Sequence, residues 1–221
     1  MTDPISRMTR ARLVSAPRED LCLEFANTRF WRGSEQPTEV LRSFSDVVVW
    51  CEAAKLLDRT GAAGFERWGA RSKDEAAALF DEAIAGRETI YRLFCATASG
   101  RAVHHADVDV LNRLLGQAPG RESLVIAEAG NMWRLPPATA TSASLLAPVL
   151  WSTGDLLVGD RLAKVRLCAN EKCRWLFLDD SKSGTRRWCS MRSCGNRAKA
   201  HRHYMRRARP DGETADGPGP D

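Results

Sequence analysis

Two cysteine pairs of identical internal spacing, Cys168-x4-Cys173 and Cys189-x4-Cys194, stand fifteen residues apart and constrain this 221-residue chain more than any other feature. Each pair can close a tight knuckle, and the spacer lets the second knuckle return, so that four thiolates meet one tetrahedral ion at about 2.3 Å. Two disulfides, or four unrelated buried cysteines, are the competing readings. Disulfides fit poorly because Met1 to Ala16 lacks the apolar middle of a secretory leader. Unrelated cysteines have no reason to repeat one spacing. The pattern favours a closed structural zinc site with Zn2+ as the cofactor and Cys168, Cys173, Cys189 and Cys194 as its ligands.

Charge concentrates around those cysteines. Residues 161–209 hold fifteen Lys or Arg against three acids, a net +12, whereas the whole chain is +5 and residues 1–160 are −3. No acid occurs between Asp180 and Arg209. A solvated helix face is normally interleaved with Glu or Asp at three- and four-residue steps, so a block without them is better neutralised by phosphate. The candidate nucleic-acid contacts are Arg186, Arg187, Arg192, Asn196, Arg197, Lys199, Arg202, Arg206 and Arg207. His201 and His203 sit in the same run and read as surface or phosphate contacts, since four cysteines already saturate the ion.

The segment Trp188-Cys-Ser-Met-Arg-Ser-Cys-Gly-Asn-Arg197, together with Cys168-Ala-Asn170 and Trp175-Leu-Phe-Leu-Asp179, resembles the CGNR zinc finger, whose signature falls here on Cys194, Gly195, Asn196 and Arg197. In that family the finger usually follows a helical domain called ABATE, described as a stress-induced transcription regulator. Leu21-Cys-Leu-Glu-Phe-Ala-Asn-Thr-Arg29 resembles the start of that domain. The resemblance implies the four cysteines as zinc ligands and Asn196 and Arg197 as signature residues.

The expected fold is mainly α with a small β-hairpin: a helical N-terminal domain over 1–160, able to fold alone, then a zinc finger over 161–209 made of a β-hairpin and a basic helix. The tail 210–221, acidic and rich in Gly and Pro, is expected to be disordered. Residues 1–20 read as polar and frayed. Leu21, Leu23 and Phe25 fit a short strand or a helix entering the core. Asn27 and Thr28 cap or turn the chain there, or line a pocket. Apolar steps of three and four predict helices over 39–57, 62–70, 107–115 and 141–158, with Pro148 at a kink or in a first turn. Ser72-Lys-Asp-Glu75 has the form of a capping box opening a long helix through Ala98. Residues 123–127 and 132–135 form the hairpin, with Gly130 and Asn131 in its turn. In the finger, 162–167 and 175–178 are expected to pair as strands and about 190–209 to form the basic helix.

No run of eighteen apolar residues occurs, so no membrane span is expected, and the setting is expected to be cytoplasmic and reducing. Cys22, Cys51 and Cys95 have no paired spacing and read as small core residues. His104-His105 lacks a carboxylate or thiol partner at ligand spacing, and no phosphate-cradling glycine loop or nucleophile elbow is present, so no enzyme is expected. The sequence points to a bacterial-type DNA-binding transcription regulator in which the finger reads duplex DNA. Its helical domain is expected to sense a small molecule or mediate assembly as a homodimer. An RNA-binding or ribosome-associated zinc protein is the alternative. Trp31, Trp50, Trp68, Trp133 and Trp151 are either core or the lining of an effector pocket.

Overall fold

The apolar stretch of ambiguous period is a helix, α1 (Leu21–Ala26), in the computed structural model, which describes residues 12–15, 18–126 and 131–200. Leu21, Cys22, Leu23, Phe25 and Ala26 are all buried, and a segment enclosed on every side has no polar face to reveal its period. It lies against the long helix α4 (Lys73–Ala98) and against α7 (Ala147–Val158).

Helix α2 (Phe44–Ala53) starts later than apolar spacing suggests. Ser43 is its N-cap, with a hydroxyl accepting the Asp46 N–H at 3.2 Å, so Val40 and Leu41 precede the helix. It ends in a Schellman motif: Leu56 N–H reaches the Cys51 carbonyl (2.8 Å) and Lys55 N–H the Glu52 carbonyl (3.0 Å), with Lys55 at a left-handed φ of 61°. Helix α3 (Arg59–Arg71) is capped by Asp58, whose carboxylate accepts from Gly61 N–H at 2.7 Å; Gly61 therefore lies inside a helix that it was expected to precede. The expected capping box at Ser72 does not form, because Ser72 closes α3 and its side chain makes no capping hydrogen bond to α4. Helix α5 (His105–Gln117) follows, and Leu111 and Leu114 bury against Leu93 of α4 and Leu150 of α7.

Strand β1 (Arg12–Ser15) corrects the reading of residues 1–20 as frayed throughout. It pairs antiparallel with β5 (Met132–Leu135), which also pairs with β4 (Ser123–Val125), giving the order β1-β5-β4. Val14 and Leu135 pack on Ala147 and Trp151, which fastens the sheet to α7. The single helix expected over 141–158 is two: α6 (Ser142–Leu145), capped by Thr141, and α7, which places Pro148 in its first turn where no backbone donor is needed.

A small hairpin of β2 (Arg29–Phe30) and β3 (Thr38–Glu39) projects after α1. The finger's own hairpin pairs β6 (Val165–Leu167) with β7 (Leu176–Leu178). Packing runs straight across residue 160: Val165 and Leu176, each 1% exposed, belong to the same core cluster as Phe25, Ile90 and Phe94. Helix α4 touches both finger strands. The chain thus shares one core across the charge boundary at residue 161. A π-turn (Met191–Gly195) leads into helix at 196–200; the expected continuation to 209, the tail 210–221, and most of the 127–131 turn lie outside the described residues.

Candidate metal centre

The first knuckle is folded by Asn170. Its carbonyl accepts from Cys173 N–H (2.8 Å) and Arg174 N–H (3.1 Å), its side-chain oxygen accepts from Lys172 N–H (3.1 Å), and its amide reaches Cys194 Sγ (3.5 Å). The second knuckle is shaped by the π-turn, in which Gly195 N–H bonds the Ser190 carbonyl at 3.0 Å, and Ala169 N–H to the Arg187 carbonyl (2.9 Å) ties the knuckles together. All four sulfur atoms lie within 4.8 Å of one another. An ion at about 2.3 Å from four sulfurs at tetrahedral corners sets their separation near 3.8 Å. Cys173 and Cys189 stand 3.7 Å apart, Cys189 and Cys194 3.8 Å. The donor set and its edge lengths fit zinc, and four thiolates leave no open position at which a metal could activate water.

Hydrogen bonding among the thiols splits three of them. Hydrogen bonds from Cys173 and Cys189 pull the Cys168 thiol down to about 2, while hydrogen bonding to Cys168 pushes Cys173 far up and Cys189 up to about 12. Zinc takes cysteine as thiolate, so its binding displaces the protons that Cys173 and Cys189 hold and weakens as pH falls.

The centre is held on the helical body by residues far away in sequence. Asn27 donates to the Leu176 carbonyl (2.8 Å) and accepts its N–H (3.0 Å), acting on β7 as a neighbouring strand would. Both polar groups of its side chain are thus engaged by the backbone of β7. Tyr91 Oη donates to the Arg174 carbonyl at 3.0 Å, and Phe30 stacks on Trp175 with ring centres 5.1 Å apart. Gly33 N–H bonds the Lys172 carbonyl at 3.2 Å, so close that a Cβ on Gly33 would lie 1.8 Å from the Glu171 oxygen. The 29–39 hairpin that carries Gly33 is anchored by an ion cluster of two buried arginines and two half-buried glutamates. Arg87, 1% exposed, forks onto both Glu39 oxygens at 2.6 Å, bonds Thr28 Oγ1 (3.1 Å) and pairs with Glu88; Arg32 pairs with Glu88 at 2.6 Å and covers the Tyr91 ring at 3.8 Å. Sequence alone did not reveal Gly33, Tyr91, Arg87 or Asn170 in these roles. Only Asn170, inside Cys168-Ala-Asn170, carried a local signal.

The nine cations and amides expected at nucleic acid separate on inspection. Arg186 is a brace: it donates to the Trp188 carbonyl (2.9 Å) and to the Cys189 carbonyl, and covers Phe177 at 4.6 Å. Asn196 donates weakly to the Arg192 carbonyl (3.4 Å). Arg187 lies over Trp188 at 5.5 Å and Arg197 over Trp31 at 4.5 Å. Arg187, Arg192, Arg197 and Lys199 are exposed, and among the described residues none of them is in an ion pair. Arg202, Arg206 and Arg207, with His201 and His203, lie outside the described residues. Of the tryptophans weighed for a pocket, Trp50 packs on Phe25, Trp68 on Phe44, and Trp133 and Trp151 under the Arg121 guanidinium; Trp31 alone faces the metal centre. Cys22 and Cys51 are fully buried and Cys95 nearly so, with burial pushing the Cys22 thiol up to about 12. No helix among the described residues is long and apolar enough to cross a membrane.

Two family models match the chain. Residues 19–160 match ABATE, whose description reads "Putative stress-induced transcription regulator", and residues 164–207 match the CGNR zinc finger. A comparison with curated proteins gave no match. With the first model covering well over half of the sequence and the second falling on the four-cysteine centre, the chain belongs to the ABATE family and carries a CGNR zinc finger at its C-terminal side.

Proposed function

We propose that this zinc protein is a DNA-binding transcription regulator, a non-enzyme whose second knuckle and following helix engage duplex DNA. The observation that carries the reading is the sorting of charge within the finger. Several cations away from the second knuckle have partners, Arg161 and Lys164 on Asp180, Arg166 on the Ala163 and Val165 carbonyls and Arg174 on Cys95, whereas Lys172 and Lys182 are exposed and in no ion pair among the described residues. Those around the second knuckle, Arg187, Arg192, Arg197 and Lys199, are exposed and in no ion pair among the described residues, with Arg187 and Arg197 lying over indole rings. Phosphate neutralises such a patch and releases counterions. The family description supports regulation as the setting.

Fluorescence anisotropy of the zinc-loaded chain on a random-sequence 20-bp duplex and on an RNA of the same sequence, across salt concentration, tests it. Duplex binding should weaken steeply with salt, and Arg192→Ala and Lys199→Ala should each lower the slope of log affinity against log salt by about 1. RNA binding alone would favour the ribonucleoprotein reading, and no salt-dependent binding to either would remove the proposal.

A further inference from the structure

We propose that the cleft between the 31–34 loop and the two zinc knuckles binds a nucleotide, with its base against tryptophan and its phosphate held by arginine. The cleft has a volume of about 870 Å3, within the range of small-ligand sites, and Trp31, Asn170, Lys172, Arg187, Trp188 and Arg197 are among its lining residues. Each of the two tryptophans has a guanidinium over its ring, Arg197 on Trp31 at 4.5 Å and Arg187 on Trp188 at 5.5 Å. A guanidinium held against an indole is oriented and weakly hydrated, and it keeps N–H groups available for a phosphate. Lys172 adds a third cation and Glu171 is the one acid in the lining, so the cleft favours an anion.

Trp31 occupies this place at a cost in backbone conformation. Its φ of 53° is left-handed, which bulky residues rarely adopt, and Ser34 fixes it by donating from both N–H (2.9 Å) and Oγ (2.7 Å) to the Trp31 carbonyl. Such strain concentrates at ligand sites. A planar aromatic group joined to a phosphate matches what the lining offers, and bases stack on aromatic side chains whatever their sequence. The ligand can be a free mononucleotide or an unpaired nucleotide within a single strand. Because the walls come from both the helical body and the finger, an occupant bridges them. The inference goes beyond duplex binding and does not depend on it.

Tryptophan fluorescence of the full zinc-loaded chain, titrated with AMP, with (dT)12 and with a 20-bp duplex, tests the proposal, zinc content being measured on every variant. Saturable quenching by AMP or (dT)12 is expected, weakened at least tenfold in Trp31→Ala and in Arg187→Ala and largely kept in Trp31→Phe. Response to AMP identifies a free-nucleotide site, and response to (dT)12 alone identifies a strand-borne nucleotide. If Trp31→Ala loses zinc, Arg187→Ala decides in the AMP arm, since loss of (dT)12 alone could come from the phosphate-binding patch. No saturation by either probe, or equal affinity in wild type and Arg187→Ala, overturns the proposal. Failure of the duplex arm alone counts against the preceding section and leaves this one standing.

Discussion

Asn27 carries on its side chain both groups of a backbone amide and uses them on Leu176, 149 residues away. Asn27→Ala leaves a buried N–H and a buried carbonyl without partners, at roughly 1–3 kcal/mol each. A loss of about 3 kcal/mol in urea unfolding is expected, and Asn27→Asp, which sets a buried carboxylate oxygen against the Leu176 carbonyl, should cost at least as much. Gly33→Ala has no room against the Glu171 carbonyl, so it should detach the 31–34 loop from the first knuckle, read as faster zinc transfer to a chromophoric chelator. The Glu39 carboxyl is raised by burial but lowered more by the hydrogen bond and charge of Arg87, and ends below its ordinary value; Glu88 behaves likewise through Arg32 and Arg87. Groups with depressed folded values add stability above their unfolded values and lose it as pH falls through the folded ones. Stability should therefore drop with acid below about pH 4.5, and Glu39→Gln should flatten that drop. The cysteine quartet was legible because its spacing is local. Asn27, Gly33 and Arg87 were not, since their partners are set by tertiary structure alone.

Side-chain caps did not by themselves make element boundaries legible: Ser43 and Asp58 start α2 and α3 away from their expected positions, and the capping box expected at Ser72 does not form. The long helix α4 was plain in its apolar spacing, whereas the Schellman end of α2 was hidden because Lys55 stands where glycine is usual. Lys55→Gly removes the left-handed penalty of a side chain, so it should stabilise the protein by up to about 1 kcal/mol, measurable as a raised urea midpoint. Strand β1 was illegible for another reason: Arg12-Leu-Val-Ser15 is too short to declare itself and becomes a strand only beside β5, some 120 residues on. The second knuckle's helix began close to its expected place, but by way of a π-turn that no residue pattern announces.

At the scale of the molecule, the composition break at residue 161 marks a change of charge without a break in the core. Val165 and Leu176 complete the cluster around α1 and α4, and burying each is worth about 2 kcal/mol, a large share of a typical domain's 5–15 kcal/mol. Residues 1–160 alone should therefore melt without a cooperative transition, or at a much lower temperature, although their apolar patterning reads as self-sufficient. Zinc closes the finger onto this shared core, so metal and body should unfold together. Calorimetry of the zinc-loaded chain with and without chelator tests that coupling most directly. A single cooperative transition that moves to lower temperature as a whole when zinc is removed is the expected result; two transitions, of which chelation moves only one, would contradict it.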